Sequence, residues 1–225
     1  MKGVLKGTCP APLATWLALA NPKWTPTYGA FSGQPKTETH DALLVEQKGV
    51  CVYCGRALSP DRSDSHIDHF RPQEKFNSAY PPDLTLAYQN LVVSCGRNRL
   101  PARHPDRRPV ICGEAKDNWF DATLHVDPTD VNCETRFAYG TSGLISPKST
   151  PDAAAAKMIE ILNLNEESLK YERSVLISGI EFDILAGKIT SISKLDELDQ
   201  YRKTPEGGYL PTFAHVAARY IEDEV

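Results

Sequence analysis

Long apolar runs are missing from this chain. No stretch approaches the roughly 20 residues needed to cross a bilayer. The opening Met1-Lys-Gly-Val-Leu-Lys-Gly-Thr-Cys9-Pro10 also lacks the apolar centre of a secretory signal. The chain therefore reads as cytosolic, with no membrane partner. A second Cys-x-x-Cys is missing as well, because position 98 is Asn. No internal repeat or low-complexity tract occurs, and from Cys51 to about Trp119 there is little helical periodicity. An overall excess of positive charge is absent too, since the net charge is −4. That balance argues against a nucleic-acid partner until its distribution is considered. Residues 1–150 carry +2 and residues 151–225 carry −6. Arg97, Arg99, Arg103, Arg107 and Arg108 fall close together, with only Asp106 opposing them. A local basic patch matters more for phosphate contact than the whole-chain sum, although such a run can also be a solvated loop.

What is present is concentrated in one stretch: Cys51-Val-Tyr-Cys54, then His66-Ile-Asp68-His69-Phe-Arg71-Pro72. Six cysteines in a cytosolic protein favour a metal over disulfides. Two thiolates two residues apart can grip one tetrahedral zinc ion, and a closed structural site needs four ligands. Cys51 and Cys54 are the first pair. Cys95 follows the apolar Leu91-Val-Val-Ser94, and Cys112 follows Pro109-Val-Ile111, each after a β-like segment. His104 competes with Cys112 for the fourth place. Cys9 and Cys133 read as free thiols. The competing readings are buried small apolar cysteines, or a redox pair at Cys51 and Cys54, for which no βαβ pattern is present.

Residues 1–39, rich in Pro, Gly and Thr, form an expected N-terminal arm with a helical turn or two around Leu13-Ala-Thr-Trp16-Leu-Ala-Leu19. Residues 40–145 form the expected core, with a helix over 39–49, short strands over 66–70 and 90–94, and a helix opening over 114–119. Residues 146–225 form an expected small acidic helical subdomain, with helices over 153–162, 166–185 and 212–221. Thr150-Pro151-Asp152 supplies the helix start. Leu169, Val175, Leu176, Ile180 and Ile184 supply an apolar stripe.

Adjacent Asp and His are the side chains that metal-assisted phosphodiester chemistry needs. Asp68 offers a hard oxygen to a divalent cation, and His69 can take a proton from water near neutral pH. On a regular strand the two face opposite ways, so the chain must bend into Phe70-Arg71-Pro72. Asn90 is a candidate to orient His69, or else a simple turn residue. His66 reads as a surface residue. Glu114, two residues after Cys112, could share a divalent ion with Asp68, or could merely complement a helix dipole. Arg71, Arg97, Arg99 and Lys116 are candidate phosphate contacts.

These segments, with Tyr88-Gln-Asn90-Leu-Val-Val-Ser-Cys95 and Cys112-Gly-Glu-Ala-Lys116, resemble the HNH endonuclease family. More narrowly, the chain is similar to the nuclease subunits of Septu-type and retron-associated anti-phage systems. That likeness extends to Asn118-Trp-Phe-Asp121, Cys133-Glu-Thr-Arg-Phe137 and Ile159-Glu-Ile-Leu-Asn-Leu-Asn165. It implies an α+β protein: a zinc-stapled ββα-metal core with a C-terminal helical subdomain. It implies His69 as the base that activates water, Asp68 as ligand of a catalytic Mg²⁺ or Mn²⁺, and Asn90 as the residue positioning His69. Glu114 falls where the family has a His or Asn metal ligand, unless the role lies nearer Asp117 or Asn118. DNA is the expected substrate. An ATPase is the expected partner, with the acidic C-terminal helices as a docking surface for it or for a second copy. The alternative is a non-catalytic zinc module that binds nucleic acid or protein.

Overall fold

Burial alternates along Ser65–His69: Ser65, Ile67 and His69 are inside, while His66 and Asp68 are half-buried. That period of two is what a strand with one covered face requires. In the computed structural model, which describes residues 1–80, 82–96, 108–205 and 208–225, Ser65–His69 is strand β1. It pairs antiparallel with β2, Leu91–Cys95, in a register that sets Asp68 opposite Val92 and His69 opposite Leu91. β2 is buried along its whole length. It stays satisfied on its outer side because the Gln47 amide stands in for a strand: its Oε1 accepts from Val93 N at 2.6 Å, and its Nε2 donates to Val93 O at 2.9 Å. Gln47 caps α2, Gly33–Glu46, which lies against β2. This helix begins six residues before the expected start, with Pro35 in its first turn, where a missing N–H costs nothing.

The expected arm carries a short helix, α1, Ala11–Leu17. Its Trp16 packs against Phe31 and Trp24 at centroid distances of 4.9 and 5.6 Å. A short helix α3, Cys112–Lys116, lies against β2. The hairpin β3, Phe137–Tyr139, with β4, Ile145–Pro147, leads into the helices. These are α4, Ala153–Ile161; α5, Glu167–Leu185; α6, Lys194–Arg202; and α7, Ala214–Glu224. The N-cap of α4 is Asp152, which accepts from Ala155 N at 2.9 Å while it is clamped by Arg136. α5 turns Leu169, Arg173, Ile177 and Ile180 inward, not Val175, which is exposed. Arg173 is buried with no acid paired to it among the described residues; its guanidinium donates to Gly143 O and Leu164 O. The α+β class stands. One continuous apolar cluster links Leu13 and Leu43 to Leu91, Phe137, Met158 and Ile221. Each fully buried Leu or Ile there stabilises by about 1.5–3 kcal/mol. No described helix is long and apolar enough to cross a membrane.

Candidate active site and metal centre

Two sites lie at opposite ends of the β1–β2 hairpin. At the Ser65–Cys95 end, the sulfurs of Cys51, Cys54, Cys95 and Cys112 all fall within 4.8 Å of one another, and all four residues are buried. Among the described residues this is the one group of three or more His, Cys, Asp or Glu gathered closely enough to hold a metal ion. The Cys54 and Cys95 sulfurs are 3.6 Å apart. Four sulfurs about 2.3 Å from a tetrahedral ion stand about 3.8 Å from one another, so the set fits one ion. The backbone supports it: Cys95 N donates to Cys51 Sγ at 3.3 Å. Burial opposes charge on Cys51, yet hydrogen bonds from Cys112, Cys54 and Cys95 pull its thiol well below the ordinary range. Burial, then the hydrogen bond it shares with Cys51, pushes Cys112 well up. Four buried sulfurs converging on one point form a set that a metal ion could complete. Cys9 is exposed and Cys133 is buried, both outside this group.

Elements far along the chain shape this centre. The knuckle turns at Gly55, whose φ is +83°, and a Cβ there would stand 2.2 Å from the His215 ring of α7. Only glycine permits that approach. Phe213 N donates to Gly55 O at 2.7 Å, and Cys112 N donates to Leu162 O, just past α4, at 2.8 Å.

At the other end of the hairpin is His69, with a side chain almost fully inside. Its Nε2 lies 2.8 Å from the Thr85 carbonyl. A carbonyl only accepts, so Nε2 carries the proton and Nδ1 is the basic nitrogen. Burial holds the ring below its ordinary pKa, with Lys116 and Lys36 acting the same way and the Thr85 carbonyl and Asp68 opposing. Tyr28, from the segment before α2, meets the imidazole edge-to-face at 4.4 Å.

Asp68 lies on the opposite side of the strand, as the alternation demands. Its Oδ2 accepts from Tyr53 OH at 2.6 Å and lies 3.5 Å from Lys116 Nζ. Asp68, His66 and Ser94 converge on the start of α3, where a Cβ on Gly113 would stand 3.0 Å from each. The half-buried His66 thus abuts α3 and is not the free surface residue expected. Glu114 turns elsewhere: its carboxylate packs on Gly96, beside Cys95. The expected Asp68–Glu114 pair is joined by no third His, Cys, Asp or Glu among the described residues. The cation next to Asp68 is Lys116. That side chain is 1% exposed, and its ammonium also donates to His69 O at 3.0 Å and Asp117 O at 3.1 Å. It braces α3 against β1 from within, so it is not the outward phosphate contact expected from sequence.

Asn90 is buried at the entry to β2, yet its amide engages the backbone of Arg71 and Leu84 rather than the imidazole. It fixes the bend that follows His69; the Thr85 carbonyl orients the ring. Arg71 is partly exposed, paired with Asp127 at 3.2 Å. Arg97, Arg99 and His104 lie outside the described residues. Tyr53, Thr85 and Tyr28 were not found by motif reading. Tyr53 sits inside the Cys51–Cys54 knuckle, where only the cysteines drew notice, and a carbonyl such as that of Thr85 leaves no trace in residue type.

No protein-family model matches the chain. It is similar to the protein named "Retron Vc95 putative HNH endonuclease" of Vibrio cholerae serotype O1 biovar El Tor, with 28% identity over 162 residues. That span covers 70% of this chain and 72% of the other. The chain thus resembles a retron-associated branch of the HNH endonucleases, and its mixed helices and small sheets with a clustered cysteine quartet agree with an HNH core.

Proposed function

We propose that this chain is a metal-dependent HNH-type endonuclease that hydrolyses phosphodiester bonds, with DNA as its substrate. The observation that carries the reading is the state of His69: a buried, neutral imidazole whose Nε2 is bound to a backbone carbonyl, leaving Nδ1 to accept a proton. In this reading His69 takes a proton from water as the water oxygen bonds to phosphorus and the bond to the 3′-oxygen breaks. Zinc on Cys51, Cys54, Cys95 and Cys112 holds the hairpin. Tyr53 and Lys116 both engage Oδ2 of Asp68, so Oδ1 is the oxygen offered to Mg²⁺ or Mn²⁺. Bound there with substrate, such an ion would supply neutralisation of the charge that builds on the phosphate. Arg71, Arg97 and Arg99 are the proposed phosphate contacts.

The similarity to a retron protein supports a defence-system context; a role against phage, a cytoplasmic location and an ATPase partner are proposed with it. The acidic C-terminal helices are the proposed docking surface for that partner or for a second copy. The exposed Tyr171, Val175, Phe182 and Leu185, at heptad-like spacing along α5, support this assignment.

The test is cleavage of plasmid DNA with Mg²⁺ or Mn²⁺ by the protein and by His69→Ala, each with and without the proposed ATPase partner. Nicking that disappears with His69→Ala is the expected result. Equal cutting by both proteins would remove His69 from the mechanism. Binding of DNA that His69→Ala leaves unchanged, with no cutting by either, would favour the non-catalytic zinc module.

A further inference from the structure

The segment before α2 reaches the proposed base directly. Tyr28 begins the single-turn helix Tyr28–Ala30, whose start is capped by Thr27 and whose end is anchored by the buried Phe31 against Trp16. The turn therefore holds its position firmly. The Tyr28 ring lies 4.4 Å from the His69 ring at an interplanar angle of 77°, an edge-to-face pair at the short limit of the roughly 4.5–7 Å that such rings adopt. Lys36 Nζ of α2 stands 4.6 Å from the Tyr28 ring centre. The imidazole thus meets both the Tyr28 ring and the Thr85 carbonyl, groups that no motif of the hairpin supplies. Burial, then the charge of Asp68, pushes the phenol up to about 12, so it stays neutral wherever the enzyme works.

We propose that Tyr28 is a positioning residue for His69: its ring clamps the imidazole against the Thr85 carbonyl and fixes the tautomer whose basic nitrogen is Nδ1. The assignment rests on His69 being the base for its catalytic consequence, but not for its structural one. A ring free to turn about χ2 swaps Nδ1 with Cδ2 and Nε2 with Cε1, which takes Nε2 off the Thr85 carbonyl and frees the tautomer, and a base displaced by about 1 Å can cost up to about 100-fold in rate. The phenolic ring, not its hydroxyl, makes the contact.

Two readouts on the full chain test it. The first is the side-chain ¹⁵N shifts of His69 by NMR, assigned with His69→Ala. The second is kcat and KM for phosphodiester cleavage. In the unaltered protein His69 should show one fixed tautomer protonated at Nε2. In Tyr28→Leu, and in Tyr28→Met as an independent truncation, the shifts should move toward an average of the two tautomers. Here kcat should fall about 10- to 100-fold, with KM within about twofold and the bound structural metal retained. Tyr28→Phe should recover the fixed tautomer and most of kcat. A fixed tautomer in both truncations overturns the proposal. A loss in Tyr28→Phe as large as in Tyr28→Leu overturns it too, by placing the role on the hydroxyl. If His69→Ala cleaves like the unaltered protein, the nuclease reading fails at His69 while the NMR comparison still decides the clamp.

Discussion

Asn90 brackets the peptide unit of Arg71: its Oδ1 accepts from Arg71 N at 3.0 Å, and its Nδ2 donates to Arg71 O at 2.9 Å. A third bond, to Leu84 O at 3.1 Å, joins this bend to the loop that supplies Thr85. One buried amide thus holds both the bend after His69 and the carbonyl that orients its ring.

Asn90→Ala therefore removes three hydrogen bonds and leaves buried backbone groups without partners, at a cost of about 1–3 kcal/mol. Asn90→Asp should be worse, since it keeps the acceptor for Arg71 N but sets a carboxylate against two carbonyls. Urea denaturation midpoints rank the variants, and cleavage rates should fall in the same order. A hydrogen bond from Asn90 to His69 as its main role would instead lower the rate with little change in stability.

The cysteine quartet makes a sharp division among six thiols. Cys112→Ser or Cys95→Ser should lose the bound zinc and melt early, because structural zinc supplies about 10–16 kcal/mol to the folds it holds. Cys9→Ser and Cys133→Ser should keep one equivalent. Metal content by mass spectrometry, alongside thermal melting, checks this. Retained zinc in Cys112→Ser would shift the fourth ligand to His104.

Lys116 and Arg71 are both cations near the base but should behave differently. Lys116→Met leaves the Asp68 carboxylate without its ammonium, and breaking such a buried pair costs about 3–5 kcal/mol. Its effect on the salt dependence of DNA binding should be nil, because the side chain is buried. Arg71→Ala should barely move stability and should lower the salt slope of binding by about 1. Titrations of binding across salt concentrations, with melting curves beside them, separate the two roles.

Three histidines link stability to pH. Burial holds His69, His125 and His215 below the usual range, His125 at about 4. The unfolded chain takes up these protons near pH 6.5 while the fold resists them. Stability is therefore full above about 6.5 and declines as pH drops. For His125 the decline runs to about pH 4 and reaches about 3 kcal/mol. His125→Phe keeps a ring in the cluster with Phe70, Trp119 and Phe120 and removes a buried nitrogen without a hydrogen-bond partner among the described residues. The acid limb of its stability curve should be shallower. An unchanged limb would show that the His125 ring is protonated in the fold.

The sequence exposed those features that depend on residue type at short spacing. The four thiols, the two strands and the helices from Ala153 and Glu167 follow from cysteine pairs, a period of two and an apolar stripe. α6 has no apolar stripe to read, because five of the nine residues of Lys194–Arg202 are charged and it buries only Leu198. Lys116, not Glu114, is the α3 side chain that reaches Asp68. Both lie on α3, and the direction each takes depends on how Gly113 wedges the helix against Asp68, His66 and Ser94, which no spacing reveals. Asn90 was recognised as important, but its partners are backbone atoms brought in by a loop. Tyr28 lies 41 residues before His69, in a Pro- and Gly-rich stretch without periodicity.

The bond from Cys112 N to Leu162 O has a consequence for how the molecule is made. A chain emerging from the ribosome presents Cys51, Cys54, Cys95 and Cys112 well before Leu162 exists, and earlier still than the Phe213 that seats Gly55. During that interval the thiols can meet an ion but lack the helices that brace them. Capture of an ion would then be provisional until α7 has been made. A protein assembled in that order withholds its finished metal scaffold until Phe213 reaches Gly55.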